Sequence, residues 1–329
     1  VIGIFKQKSP GNIVLLLLFG LFIKVPVFLY PKPIVATNQD GRLYHALVSF
    51  LTSPGASNAW ISAVVAFVLL YMQALMLNYL LNEYRMTPRQ SYLPGMSYLL
   101  VTSLLPEWNY LSAPLVSASF ILWMFICLYR LYNIANARGR VLNIGLIAGI
   151  SSFIFFPSAL FIVCILIGLM ILKPFRLNET LLFLMGCLAP YYFYALYLFL
   201  TDQLTLYNLF PHIDVSVPSV KSTIWLAFST ALLGIPFLVG GYYAQVHLRK
   251  MLIQVRKNWS ILLLYLVLAL FVPYINNSET LHAWVLAAAP FAAFHASAYY
   301  YAGKWTANIL FFLTLGYILY QQYGTVAWR

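Results

Sequence analysis

Two carboxylates of this chain sit where chemistry at a membrane surface would need them. Asp40 opens a short segment in which Leu43, Ala46, Leu47, Phe50 and Leu51 recur at helical spacing, while Arg42, His45 and Ser49 take the opposite face. That pattern predicts a helix lying flat in an outer interface. An acid at its start has two roles open to it. It is either an N-cap, accepting a hydrogen bond from a free backbone amide, or a general base beside Arg42, whose guanidinium suits a lipid phosphate. Glu107 follows Pro106 in Leu-Pro-Glu-Trp-Asn-Tyr, where Trp108 and Tyr110 fit a headgroup belt. It reads either as a solvated loop acid or as a carboxyl whose aromatic surroundings raise its proton affinity.

The other reactive side chains narrow the chemistry. His45, His212, His247, His282 and His295 include no pair at the i, i+4 spacing of a helical metal site, so no metal is expected. His295 lies among Phe291, Phe294 and alanines, where a packing role is expected. Cys127, Cys164 and Cys187 lie inside apolar runs without paired spacing and read as packing residues. No Gly-rich loop cradles a phosphate, so no nucleotide or other cofactor is expected. No Asp or Glu falls within an apolar run, which argues against an ion-coupled transporter and leaves a passive lipid flippase open. Lys24, inside the first run, is expected to snorkel to the outer interface, the alternative being an internal pairing.

The elements that must hold these groups are membrane helices. The chain is 63% hydrophobic and 8% charged, with a mean hydropathy of +0.84, whereas a soluble domain carries about 25% charged residues. Apolar runs lie near 12–30, 59–82, 91–106, 111–130, 142–157, 158–173, 180–200, 223–244, 259–275, 281–303 and 305–323. Against the roughly 20 residues needed to span a bilayer, they predict about eleven transmembrane helices, the third, fifth and sixth being short. The first run has no small-residue cleavage pattern and reads as a signal anchor.

Charge orients them. Alternate gaps collect Lys6, Lys8, Arg85, Arg89, Arg130, Arg138, Arg140, Lys173, Arg176, Arg249, Lys250, Arg256, Lys257 and Lys304, leaving Lys24, Lys32, Arg42, Lys221 and Arg329 elsewhere. The other gaps hold Asp40, Glu107, Asp202, Asp214 and Glu279. Basic loops stay in the cytoplasm, so the N-terminus is expected inside, the C-terminus in the periplasm and the acids outside. The formal charge of +12 is thereby a mark of topology and lipid headgroups, with no nucleic-acid partner expected.

Pro157 is expected to separate two short spans packed as a thin hairpin, and Pro94, Pro190, Pro236 and Pro290 to interrupt further spans. The connection from Thr201 to Ser222 is either a plain loop or an extended lid. The fold class is therefore an all-α polytopic membrane protein, residues 1–329 forming one transmembrane domain with short Pro-containing hairpins.

Two resemblances add expectations. Phe5-Lys-Gln-Lys-Ser-Pro, Ser91-Tyr-Leu-Pro-Gly, Phe155-Phe-Pro-Ser-Ala-Leu, Lys173-Pro-Phe-Arg and Ala189-Pro-Tyr-Tyr resemble a family of polytopic inner-membrane proteins from Bacteroidota, across most of the first 200 residues. Some of its members carry a carotene-oxygenase label. Those oxygenases are similar to one another in a soluble propeller with a four-histidine iron site, which five scattered histidines do not match. The resemblance implies a bacterial inner membrane and no particular reaction.

The second resemblance is one of layout: one span, an acid opening an external amphipathic helix, then short Pro-punctuated hairpins. It is similar to the C superfamily of membrane glycosyltransferases, which use polyprenyl-phosphate sugar donors. The resemblance implies Asp40 as catalytic base and Glu107 as auxiliary acid, with Lys32, Arg42, His45 and Lys221 as contacts to lipid phosphate or substrate. This chain departs from it in having a single Asp where many members have paired acids, and in Phe155 and Phe156, where polar residues often precede the proline.

Two functional classes follow. One is a glycosyltransferase-like or carrier protein acting on a polyprenyl-phosphate-linked or other lipid-linked sugar. The other is a non-enzymatic subunit of an envelope complex, gripping partner proteins or membrane lipids through its 24 Phe and 25 Tyr residues.

Overall fold

The computed structural model describes the chain except for residues 1, 8, 35, 38–39, 53–58, 135–136, 206–208, 210–213, 219–222, 277–279 and 325–329. After a single helical turn, Ile2–Phe5, come α1 (Gly11–Leu29), α2 (Arg42–Leu51), α3 (Ala59–Glu83), α4 (Leu93–Ser103), α5 (Ala113–Tyr129) and α6 (Arg138–Ile154). There follow α7 (Leu160–Leu172), α8 (Leu177–Leu200), α9 (Ile224–Leu248), α10 (Ile253–Phe271), α11 (Ala288–Tyr301) and α12 (Lys304–Leu319). Tight 3-10 turns at Phe156–Ala159, Val272–Tyr274 and Leu281–Ala287 extend α7, α10 and α11, and a further one, Pro106–Asn109, lies between α4 and α5. Among the described residues, six helical segments are long and apolar enough to cross a membrane: Gly11–Leu29, Ala59–Glu83, Leu177–Leu200, Ile224–Leu248, Ile253–Tyr274 and Leu281–Tyr301. The protein is an all-helical, multi-pass membrane protein, and every predicted run contains a helix.

The short helices form the centre. Every residue of α4 is buried, as are all but two of those in α11. At about 1.5 Å per residue, α4 is too short to cross a bilayer, but protein rather than lipid surrounds it. The long outer helices do the reverse. Tyr192, Phe193 and Tyr197 on α8 and Leu238 and Tyr242 on α9 are exposed, as lipid-facing side chains are. Pro94 lies in the first turn of α4, where its missing N–H costs nothing, so it starts a helix instead of interrupting one. Pro190 and Pro236 do lie inside α8 and α9.

Backbone contact fixes α6 against α8. A Cβ on Gly145 would stand 2.2 Å from the Phe183 carbonyl oxygen, and one on Gly149 2.5 Å from that of Cys187. Gly145 and Gly149 are four residues apart on one face, so only glycine admits this approach. At the end of α6 the chain turns sharply. The Ser151 and Ser158 hydroxyls lie 3.1 Å apart, whereas seven residues of straight helix span about 10 Å. Phe155 is extended there and Pro157 begins the next turn.

Contacts sort the connections into two sets. In one, the Tyr92 N–H donates to Phe5 O, Lys6 Nζ to Tyr300 O, Trp259 Nε1 to Met86 O, and Tyr129 Oη to Asn258 O. In the other, Ser62 Oγ donates to Lys32 O, the Gly41 N–H to Ile154 O, Trp108 Nε1 to Leu281 O, and the Asn276 N–H to Asp214 O. The first set carries the basic connections and the second the acidic ones. The charge segregation seen in sequence is therefore a segregation between the two ends of the helix bundle.

Candidate functional site

At the acidic end the connections enclose a cavity of about 420 Å³, within the range of roughly 300–1,000 Å³ usual for small-molecule sites. Lys32, Thr37, Asp40, Tyr44, Glu107, Tyr110, Phe155, Asn276 and His282 are among its lining. Four separate connections contribute these residues, and each is anchored by a contact that can be traced.

The α2 wall is seated by Gly41. Its N–H donates to Ile154 O at 2.9 Å, and a Cβ there would lie 2.1 Å from the Phe153 carbonyl oxygen. Only glycine lets the start of α2 close onto the end of α6. Tyr44 is consequently buried, with its hydroxyl donating to Leu111 O at 3.4 Å. Tyr44, Val48 and Leu51 turn toward the protein, while Leu43 and Phe50 of the predicted apolar face are exposed. The helix has both a protein face and an outward apolar face, a division that periodicity alone merges.

Asp40 is not the N-cap. That position is Gly41, and no side chain caps the helix. Asp40 Oδ2 instead accepts from the Thr37 N–H at 2.7 Å and from Thr37 Oγ1 at 2.9 Å, closing the preceding loop on itself. Burial pushes its pKa above the ordinary value of 3.8, and the bonds from Thr37 and the fields of His45 and His282 only partly offset that desolvation. The same burial, with the Asp40 charge nearby, holds the Tyr44 phenol well above its usual range.

Glu107 is neither a free loop acid nor simply enclosed by rings. Its Oε2 accepts from the Leu281 N–H at 2.6 Å, and Trp108 Nε1 donates to Leu281 O at 2.9 Å. The 3-10 turn Pro106–Asn109 thus satisfies both backbone groups of the residue that starts the Leu281–Ala287 turn. Leaving either unpaired would cost about 1–3 kcal/mol.

Below this turn lies Lys24, which does not snorkel. It is fully buried, and Nζ donates to Thr102 Oγ1 at 3.1 Å, to Ser103 Oγ at 3.0 Å and to Asn109 Oδ1. Both hydroxyls donate onward to backbone carbonyls of α4. All three neighbours are therefore acceptors, a set that matches the three donors of an ammonium. Sequence reasoning missed this because the acceptors are uncharged and lie about 80 residues away.

The remaining predicted contacts divide. Lys32 lines the cavity with Nζ 4.4 Å from the Tyr110 ring centroid, a cation–π distance. His45 acts on Asp40 through its field but is absent from the lining, and Arg42 is exposed outside it. Lys221, His212 and Glu279 lie outside the described residues. Asn276 and His282, which the site reading did not include, line the wall, and Asn276 Nδ2 and His282 Nδ1 are buried with no hydrogen-bond partner among the described residues. The Asn276 carboxamide is held by the 201–222 connection: Oδ1 accepts from the Asp214 N–H at 2.8 Å, beside the bridge between Val215 and Ile275. That part of the connection is bound to the cavity wall.

His295 is buried, its Nε2 2.9 Å from Leu233 O, in the packing role expected. Among the described residues no group of three His, Cys, Asp or Glu side chains is arranged to hold a metal.

Compared with family models, curated proteins and solved structures, the chain matches none.

Proposed function

We propose that this is an eleven-span bacterial inner-membrane protein of cell-envelope biogenesis, acting on a polyprenyl-phosphate-linked or other lipid-linked sugar in its outward cavity. The observation that carries the reading is the convergence of Asp40 and Glu107 on one cavity that also holds a cation, Lys32. Asp40 is the general base: desolvation raises its proton affinity toward the working range of a base, and its Thr37 bonds occupy Oδ2, leaving Oδ1 for a substrate hydroxyl. Glu107 has a double part, anchoring Leu281 through Oε2 while Oε1 contacts substrate. Lys32 takes the phosphate at the rim; Arg42 would meet a headgroup beyond it. His282 orients the sugar.

The test is Asp40→Asn and Asp40→Ala in a strain that depends on this gene for a surface glycan. The expected result is loss of the glycan at unchanged protein level. Normal glycan in both variants would end the catalytic assignment.

A second reading, an assembly subunit of an envelope complex, has one observation in its favour. Tyr192, Phe193, Tyr197 and Phe199 form an exposed aromatic surface on the outer half of α8. Stoichiometric companion proteins on purification in mild detergent would favour it over the enzyme.

A further inference from the structure

In the wall of the outward cavity, Asn276 carries a donor whose identity the geometry fixes. The residue is 7% accessible and belongs to the cavity lining. A backbone N–H can only donate, so the carboxamide atom 2.8 Å from the Asp214 nitrogen is the oxygen, Oδ1. The amide cannot turn over without losing that bond, and Nδ2 is held on the other side of the group. That nitrogen is buried, with no hydrogen-bond partner among the described residues. Buried polar atoms are nearly always paired, so an unmet donor in a cavity wall calls for an acceptor on the ligand.

The backbone around Asn276 is held from two directions. The Asn276 N–H donates to Asp214 O at 2.7 Å, the Ser216 N–H donates to Tyr274 O at 3.1 Å, and Val215 and Ile275 form an antiparallel bridge. Further along the same connection, Glu107 Oε2 accepts from the Leu281 N–H at 2.6 Å. The donor is thereby placed before any ligand arrives, and little further ordering is needed on binding.

The rest of the lining selects the acceptor. Asp40 and Glu107 bring carboxylate oxygens, whereas the Tyr44 hydroxyl already donates to Leu111 O. The charges of Glu107, Lys32 and Asp40 all act on His282, on the connection that carries Asn276, and His282 Nδ1 is buried with no partner among the described residues. Two acids disfavour a further anion on this wall and leave room for a neutral hydroxyl. A hydroxyl that gives its proton to a carboxylate still needs a donor for its lone pairs, and Asn276 Nδ2 supplies one.

We infer that Asn276 is a specificity-determining residue, its Nδ2 donating to a hydroxyl oxygen of the sugar that the cavity receives. The inference rests on the lipid-linked-sugar reading above and adds which wall reads the sugar.

The probes are farnesyl phosphate and farnesyl phosphate esterified to glucose, mannose or N-acetylglucosamine, titrated onto the full chain in an amine-oxide detergent that carries no sugar. At least one sugar-bearing lipid is expected to bind roughly tenfold tighter than farnesyl phosphate, the scale of one well-made hydrogen bond. Asn276→Asp keeps the shape and an oxygen for the Asp214 N–H but has no donor, and should bring the two affinities to within about twofold. Lys32→Gln should weaken both lipids and preserve their ratio. An unchanged ratio in Asn276→Asp, an equal loss of the ratio in Lys32→Gln, or equal binding of bare and sugar-bearing lipids by the wild type would overturn the inference while leaving a lipid-phosphate site intact. Failure of the wild type to bind any of these lipids would overturn the inference together with the reading beneath it. If Asn276→Asp folds poorly, Asn276→Ala is titrated in its place, and a persistent ratio there overturns the inference in the same way.

Discussion

Lys24 shows how a single residue can hold a site it does not enter. Its ammonium bonds Asn109, the last residue of the turn that carries Glu107 and Trp108, and those two hold Leu281. Asn109→Leu leaves a buried ammonium one acceptor short, and should cost about 1.5–3 kcal/mol, the range for hydrogen bonds to charged groups. Adding Lys24→Met removes the stranded charge, so the double variant should be no less stable than Asn109→Leu alone. Denaturation in mixed micelles measures all three proteins; simple additivity of the two losses would show that the residues act independently. At this scale the sequence was informative about residue type and poor about partners. The acids Asp40 and Glu107 were readable because each lies beside a helix boundary. Asn276 was not, because what turns its amide to the cavity wall is a bond from Asp214, 62 residues away.

Among the elements, α2 depends most on one contact. Gly41→Ala places a methyl 2.1 Å from the Phe153 oxygen and 2.5 Å from the Ile154 oxygen. Both are backbone atoms, so α2 must lift away from α6. The expected outcome is exposure of Tyr44, which is 1% accessible, together with loss of surface glycan while the long helices stay intact. Hydrogen exchange at Tyr44 and Leu47 should rise in this variant with the α3 and α5 amides still protected; unchanged exchange in α2 would show that the close approach is dispensable. Hydrophobic runs located the helices because lipid-facing and core-facing apolar residues read alike. For that same reason they gave no sign that α4 is central and α8 peripheral. Pro94 was misread for a related reason: a proline within an apolar run marks a break or a start, and only the preceding turn distinguishes them.

Across the whole molecule, the two sets of connections make the topology testable. With Cys127, Cys164 and Cys187 replaced, single cysteines at exposed Thr52 and Asp202 should react with a membrane-impermeant maleimide in intact cells. Single cysteines at exposed Arg140 and Lys304 should react only after permeabilisation. Labelling of Lys304 but not Arg140 in intact cells would mean that the short pair α6 and α7 does not cross as two spans. The sequence by itself determined that the chain is a helical membrane protein and which connections share a side, because hydropathy and charge are additive along the chain and need no knowledge of neighbours. The tertiary structure alone decided that Asp40 and Glu107 share a cavity and that Lys24 is held inward. Each of these depends on contacts between distant segments, set by close approaches such as those at Gly41 and Gly145, and a one-dimensional pattern does not encode such distances.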